Sequence, residues 1–149
     1  MKAKRSIFIS GKAGVGKTHL AVGSIIEWLK AFKPAHSSQY PVFLPAAEFF
    51  VELKDTFGGS GSEKDVLDRY SKTPLLCIDD IGAEKISDWS RQMFYTLIDR
   101  RYREEKQTIV TSNLDLEMIA KLIDDRISSR IVGMGIVLNL TGEDYRLNQ

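Results

Sequence analysis

One segment limits this chain more than any other: Gly11-Lys12-Ala13-Gly14-Val15-Gly16-Lys17-Thr18, a complete match to the pattern G-x-x-x-x-G-K-[ST]. The motif needs a strand before it and a helix after it, and both are present. Ser6 to Ser10 reads as a short buried strand, and Lys17 to Phe32 follows as a helix. Its glycines permit backbone angles that a side chain would block. Successive N–H groups then turn inward as a cradle for phosphate oxygens, helped by the positive end of the helix dipole. In such a cradle Lys17 reaches the β- and γ-phosphates and the Thr18 hydroxyl ligates Mg²⁺. His19, next on the helix, belongs to the nucleotide-binding segment by position. It reads as packing or solvent-facing rather than catalytic.

The rest of the chain alternates short apolar runs with helical patterns. Further strands are expected at Tyr40 to Leu44, Leu75 to Asp79, Thr108 to Ser112 and Ile136 to Leu140. The helix from Lys17 carries an apolar stripe of Leu20, Ile25, Ile26, Trp28, Leu29 and Phe32, and Lys33-Pro34 stops it. Other helices are expected from Pro45, with Phe49, Phe50, Leu53 and Phe57 on its apolar side, and from Glu63 to Tyr70. A third runs from Trp89 to Glu104, capped by Ser87 or Asp88, and a last from Leu116 to Ile131 with a break near Asp124. Phe57 to Ser62 is rich in glycine and reads as the most flexible stretch. Strands alternating with helices predict an α/β fold with a mainly parallel sheet.

The strand at Leu75 ends in Asp79-Asp80-Ile81-Gly82. Ligands of open α/β sheets bind beyond the carboxyl ends of the strands, so these acids belong beside the phosphate loop. Asp79 is the candidate Mg²⁺ ligand, and Asp80 the group that orients or deprotonates an attacking water. Asn113, after the fourth strand, offers an amide for the γ-phosphate or that water; Asn also suits a plain turn. Arg126 and Arg130 are spaced i, i+4 and share a helix face. Pairing with Asp124 and Asp125, and an arginine finger offered to a neighbouring subunit's nucleotide, fit that spacing equally.

Composition closes off other classes. The 149 residues, 43% hydrophobic and 28% charged, can bury one core and are too apolar for disorder. Lys+Arg 21 against Asp+Glu 20 leaves +1, not the basic excess usual in nucleic-acid binders. Any such contact must be a local patch or be assembled by several copies. Arg100, Arg101, Arg103 and Lys106, interleaved with Tyr102 and offset by Glu104 and Glu105, are one candidate; they also suit a helix end whose cations complement the dipole. The loop around Gly59 is another. Cys77 is the lone cysteine, so there is no disulfide scaffold. No run approaches the ~20 apolar residues of a membrane span, and Met1 to Ser10 lacks an export signal, so a cytoplasmic protein without membrane partners is expected.

The order of these motifs resembles a family. The loop, Leu-Leu-Cys-Ile-Asp-Asp-Ile-Gly-Ala-Glu from Leu75, Trp89, Thr-Ile-Val-Thr-Ser-Asn from Thr108, Asp-Arg-Ile-Ser-Ser-Arg-Ile from Asp125 and Asp144-Tyr145-Arg146 are similar to the AAA+ ATPase core of DnaC-type bacterial helicase loaders. IstB-type transposition ATPases share this core. The resemblance spans residues 5 to 147 and implies a five-stranded parallel sheet, order 5-1-4-3-2, flanked by helices. It implies ATP and Mg²⁺ as ligands, with Gly11 to Thr18 as Walker A loop, Asp79 and Asp80 as Walker B acids, and Asn113 as first sensor. Arg130 falls where the family places its finger, with Arg126 as helper. The implied activity is ATP hydrolysis coupled to loading a hexameric helicase onto single-stranded DNA, or to choosing a transposition target. Self-association through Arg130 comes with it. Most AAA+ proteins carry Glu where this chain has Asp80, one methylene shorter, so slow turnover is expected. The first strand starts within six residues of Met1, and only Thr141 to Gln149 follow the fifth. Residues 1–149 are therefore expected to form a single core domain without a C-terminal lid. A small P-loop kinase and a nucleotide-ordered regulator with weak or no hydrolysis remain as alternatives.

Overall fold

A computed structural model describes residues 5–59 and 61–148. Met1–Lys4, where an export signal would begin, and Ser60 of the glycine-rich stretch lie outside the described residues. Five strands, β1 (Ser6–Gly11), β2 (Val42–Pro45), β3 (Leu75–Ile81), β4 (Gln107–Ser112) and β5 (Gly135–Leu140), form one sheet. Every pairing is parallel, and the order β2-β3-β4-β1-β5 is the expected one. The helices are α1 (Lys17–Phe32), α2 (Ala46–Asp55), α3 (Glu63–Lys72), α4 (Asp88–Arg103), α5 (Leu116–Leu122) and α6 (Asp125–Met134). Among the described residues no helix is long and apolar enough to cross a membrane.

Side chains alternate across each strand, so the sheet feeds two cores. Phe8, Leu44, Leu76, Ile78 and Val110 point to one face and pack with α2 to α6 through Phe49, Leu53, Leu67, Phe94, Leu97, Ile127 and others. Ile9, Leu75, Cys77 and Ile109 point to the opposite face, which α1 covers through Ala21, Ile25 and Trp28. This asymmetry corrects the expected α1 stripe. Leu20, Ile26 and Phe32 are exposed, because among the described residues α1 alone covers that face and touches the sheet along one narrow line. The helix stops where its caps dictate: Lys33 turns left-handed (φ 47°) and returns its N–H to Leu29, just before Pro34.

Other boundaries follow from local chemistry. Ser87 caps α4 by accepting from the Ser90 N–H, and Asp124 caps α6 by accepting from the Arg126 N–H, which produces the break between α5 and α6. Phe57 is not on the apolar side of α2. It falls beyond the helix end, in a 3₁₀ turn at Thr56–Gly58, two-thirds exposed and against Trp89.

The basic cluster at the end of α4 is mostly committed within the fold. Arg101 is fully buried; it donates to the carbonyls of Tyr70, Ser71, Thr73 and Gln107 and to Thr108 Oγ1. Arg100 pairs with Asp68 at 2.7 Å, and Arg103 with Asp99. Arg101 therefore ties the end of α3 to β4 and is closed to a polyanion.

Candidate functional site

The loop after β1 is built for an anion. Gly14 and Gly16 take φ of 75° and 95°, angles that L side chains rarely adopt. Gly16 caps α1 with no side-chain acceptor, so among the described residues the first amides of the helix have no partner there. Orphan N–H groups at a helix start, under the positive dipole end, fit phosphate oxygens. Lys17 is buried and donates Nζ to the Lys12 carbonyl at 2.7 Å. Burial pulls its pKa below the usual lysine value, and Asp80 and Asp79 pull it back up.

Two distant segments meet here. The Thr18 hydroxyl donates to Asp79, 3.0 Å from Oδ1 and 3.2 Å from Oδ2, across 61 residues of chain. A hydroxyl and a carboxylate side by side are hard oxygen donors of the kind Mg²⁺ takes together with phosphates and water. Among the described residues no cluster of three or more His, Cys, Asp or Glu gathers to hold a metal alone.

A bulge aims the acids. The β3–β4 register runs from Ile78 opposite Val110 to Ile81 opposite Ser112, so Asp79 and Asp80 face Thr111 together. Thr111, 1% exposed, donates to Asp79 Oδ1 at 2.7 Å and accepts from the Asp80 N–H at 2.9 Å. Asp80 takes a left-handed φ of 61°, which is strained for a non-glycine residue, and its side chain is exposed. With Asp79, Pro45 and Phe50 it lines a cavity of about 230 Å³. Thr111 is the residue that sequence reasoning missed, because a threonine in a strand reads as a mere β-former.

The remaining candidates are placed as follows. Lys17, Thr18 and His19 line a cavity of about 560 Å³ with Gly14, Tyr145 and Arg146. Asn113 is exposed beyond β4 and lines a separate cavity of about 300 Å³ with Gly11, Lys12 and Asn139. It thus borders the loop but not the cavity of the acids. The C-terminal segment folds back onto the loop: the Tyr145 N–H donates to the Gly14 carbonyl at 3.2 Å, and the Asp144 carboxylate occupies the space beside the Gly14 Cα. Arg126 and Arg130 stand apart on α6, against α4. Arg126 pairs with Asp124 and lies over the Tyr95 ring; Arg130 pairs with Asp99 and lies over the Tyr102 ring.

Comparison with known proteins places the chain among ATP-binding and replication proteins of the same fold. The model of the family described as IstB-like ATP binding protein matches residues 1–149. The replicative helicase loader DnaC of Escherichia coli strain K12 is 31% identical over 143 residues, 95% of this chain and 56% of that protein. The chain thus spans about half the length of that relative. A crystal structure of a DnaC helicase loader superposes with a TM-score of 0.79 at 26% identity, covering 94% of this chain and 80% of the other. DnaA from Aquifex aeolicus, solved with AMPPCP bound, superposes with a TM-score of 0.74 at 25% identity, covering 94% and 41%.

Proposed function

Since this chain belongs to the IstB-like ATP binding protein family and has the AAA+ P-loop fold, we propose that it binds ATP with Mg²⁺, hydrolyses it slowly, and serves DNA replication in the cytoplasm. In that role it acts on single-stranded DNA with a replicative helicase as partner. The observation that carries this reading is the Thr18–Asp79 contact, which joins the phosphate loop to the acidic strand end.

The residues divide the work as follows. Gly11 to Thr18 wrap the phosphates, and Lys17 leaves the Lys12 carbonyl to neutralise the β- and γ-oxygens. Thr18 and Asp79 hold Mg²⁺, which when bound offsets charge on the phosphates. Asp80 accepts a hydrogen bond from the attacking water and aligns it. Asn113 contacts the γ-phosphate or that water from the Gly11–Lys12 side. Arg130, with Arg126 beside it, reaches the nucleotide of a second copy, since both lie on a helix outside the chain's own loop cavity.

The test is ATP turnover measured together with hydrodynamic mass, with and without Mg²⁺, ATP and single-stranded DNA. The expected result is Mg²⁺-assisted nucleotide binding and turnover that rises with protein concentration and with DNA, the concentration dependence vanishing in Arg130→Ala. Folded protein without Mg²⁺-assisted nucleotide affinity overturns the reading. A second reading, a nucleotide switch, draws on the short side chain and strained backbone of Asp80; it predicts tight binding and phosphate release unchanged in Asp80→Asn. A third reading, a transposition helper, predicts turnover that responds to duplex rather than single-stranded DNA.

A further inference from the structure

Arg130 spends its guanidinium differently from the arginines around it. Arg126 gives Nε and Nη2 to Asp124, and Arg103 gives Nε and Nη2 to Asp99. Arg101 gives all three nitrogens to acceptors within the fold. Arg130 gives only Nε, to Asp99 Oδ1 at 2.9 Å, and its Nη1 and Nη2 have no hydrogen-bond partner among the described residues.

The anchor is unusual for a helix surface. Asp99 belongs to α4, yet its side chain is only 5% exposed. Arg103, one turn along the same helix, already neutralises it through Oδ2. A second cation, arriving from α6 across 31 residues, is not needed to satisfy that charge. The Tyr102 ring lies 5.0 Å from the Arg130 Cζ and supports the guanidinium from the side. A guanidinium tied through Nε and shelved on a ring keeps its outer edge free, with both terminal amines aligned. That edge matches a pair of phosphate oxygens.

We propose that Asp99 is the positioning residue for Arg130: its carboxylate, with the Tyr102 ring, holds the guanidinium so that Nη1 and Nη2 meet the γ-phosphate bound by a second copy of this chain. The inference rests on the intersubunit role given to Arg130 above. Arg126, whose fork is closed on Asp124, is then the supporting member of the pair.

The test mixes two full-length variants with ATP, Mg²⁺ and a single-stranded oligonucleotide. Lys17→Ala copies have a disabled loop but still offer Arg130; Arg130→Ala copies keep the loop and lack the arginine. The mixture is expected to turn over ATP well above either variant alone. A mixture as inactive as its parts removes the intersubunit role, and the inference with it. Given an active mixture, Asp99→Asn placed in the Lys17→Ala donor is expected to lower turnover by about tenfold or more, the scale of a misplaced catalytic group. The loss does not appear when Asp99→Asn is placed in the Arg130→Ala acceptor. Tyr102→Leu in the donor leaves the Asp99–Arg103 pair intact and covers the case in which Asp99→Asn does not fold. It is expected to lower turnover severalfold, and Tyr102→Phe to restore it. Equal loss in both arms, no loss in the donor, or a gain in the donor each overturns the proposal.

Discussion

Thr111 donates its hydroxyl proton to Asp79 Oδ1 across 2.7 Å, and its own Oγ1 accepts from the Asp80 N–H at 2.9 Å. One buried side chain therefore sets the heading of two neighbouring acids. Thr111→Val keeps the shape and removes both bonds. It is expected to destabilise the fold by about 1–3 kcal/mol, through the unpaired Asp80 N–H and the under-bonded Asp79. Turnover should fall about tenfold, the scale of one misaimed group. Urea unfolding and a phosphate-release assay measure the two effects.

Gly14 has φ of 75°, and a Cβ there would lie 1.7 Å from Asp144 Oδ1. Gly14→Ala is expected to strain the loop, expel the Asp144 segment and weaken fluorescent-nucleotide binding about tenfold, equivalent to ~1.4 kcal/mol. Gly23→Ala is the control. Gly23 lies in the α1 interior with open space around it, so alanine there should add about 0.5–1 kcal/mol of stability and leave nucleotide affinity as it was.

Arg101 holds the carbonyls at the end of α3 against the start of β4. Arg101→Met leaves several buried acceptors without a donor and should cost about 3 kcal/mol or more. Chemical denaturation reads the loss directly. Oligonucleotide affinity of the folded fraction should not change, because the side chain is fully buried.

Asp99 and Asp124 give the fold a defined acid limit. The hydrogen bonds from Arg130 and Arg103 hold the Asp99 pKa below the usual aspartate value of 3.8, and those from Arg126 do the same for Asp124. A carboxylate with a depressed folded-state pKa contributes all its stability above the unfolded value and loses it as pH falls through the folded one. The urea midpoint should therefore be flat in the mildly acidic range and decline below pH 3.8. Asp99→Asn and Asp124→Asn should each shallow that decline.

Much of this architecture is legible in the chain. The phosphate-loop motif fixed the β1–α1 junction, and α1 ends at Phe32 because Lys33 and Pro34 leave no other outcome. Asp124 marked the break between α5 and α6 because a capping carboxylate suits a helix start better than a helix interior. What stayed hidden depends on neighbours distant in sequence. Nothing local distinguishes Arg101, turned inward, from Arg100 and Arg103; a basic helix end defaults to a solvated one. The α1 stripe looked like a buried face, but burial needs a second helix on that side. The docking of Asp144 and Tyr145 on Gly14 joins residues at opposite ends of the chain, which no periodicity reports.

The bulge that sets two residues of β3 against Thr111 alone also uncouples those two positions. Residue 79 is pinned between Thr18 and Thr111, whereas residue 80 is held by Thr111 through its main-chain N–H and is itself exposed. Its side chain can lengthen or shorten without disturbing strand pairing or the Asp79 oxygen that Thr111 holds. With Asp80 in the role proposed for it, a lineage could in this way retune how long each nucleotide persists, altering the molecular clock while leaving the grip untouched.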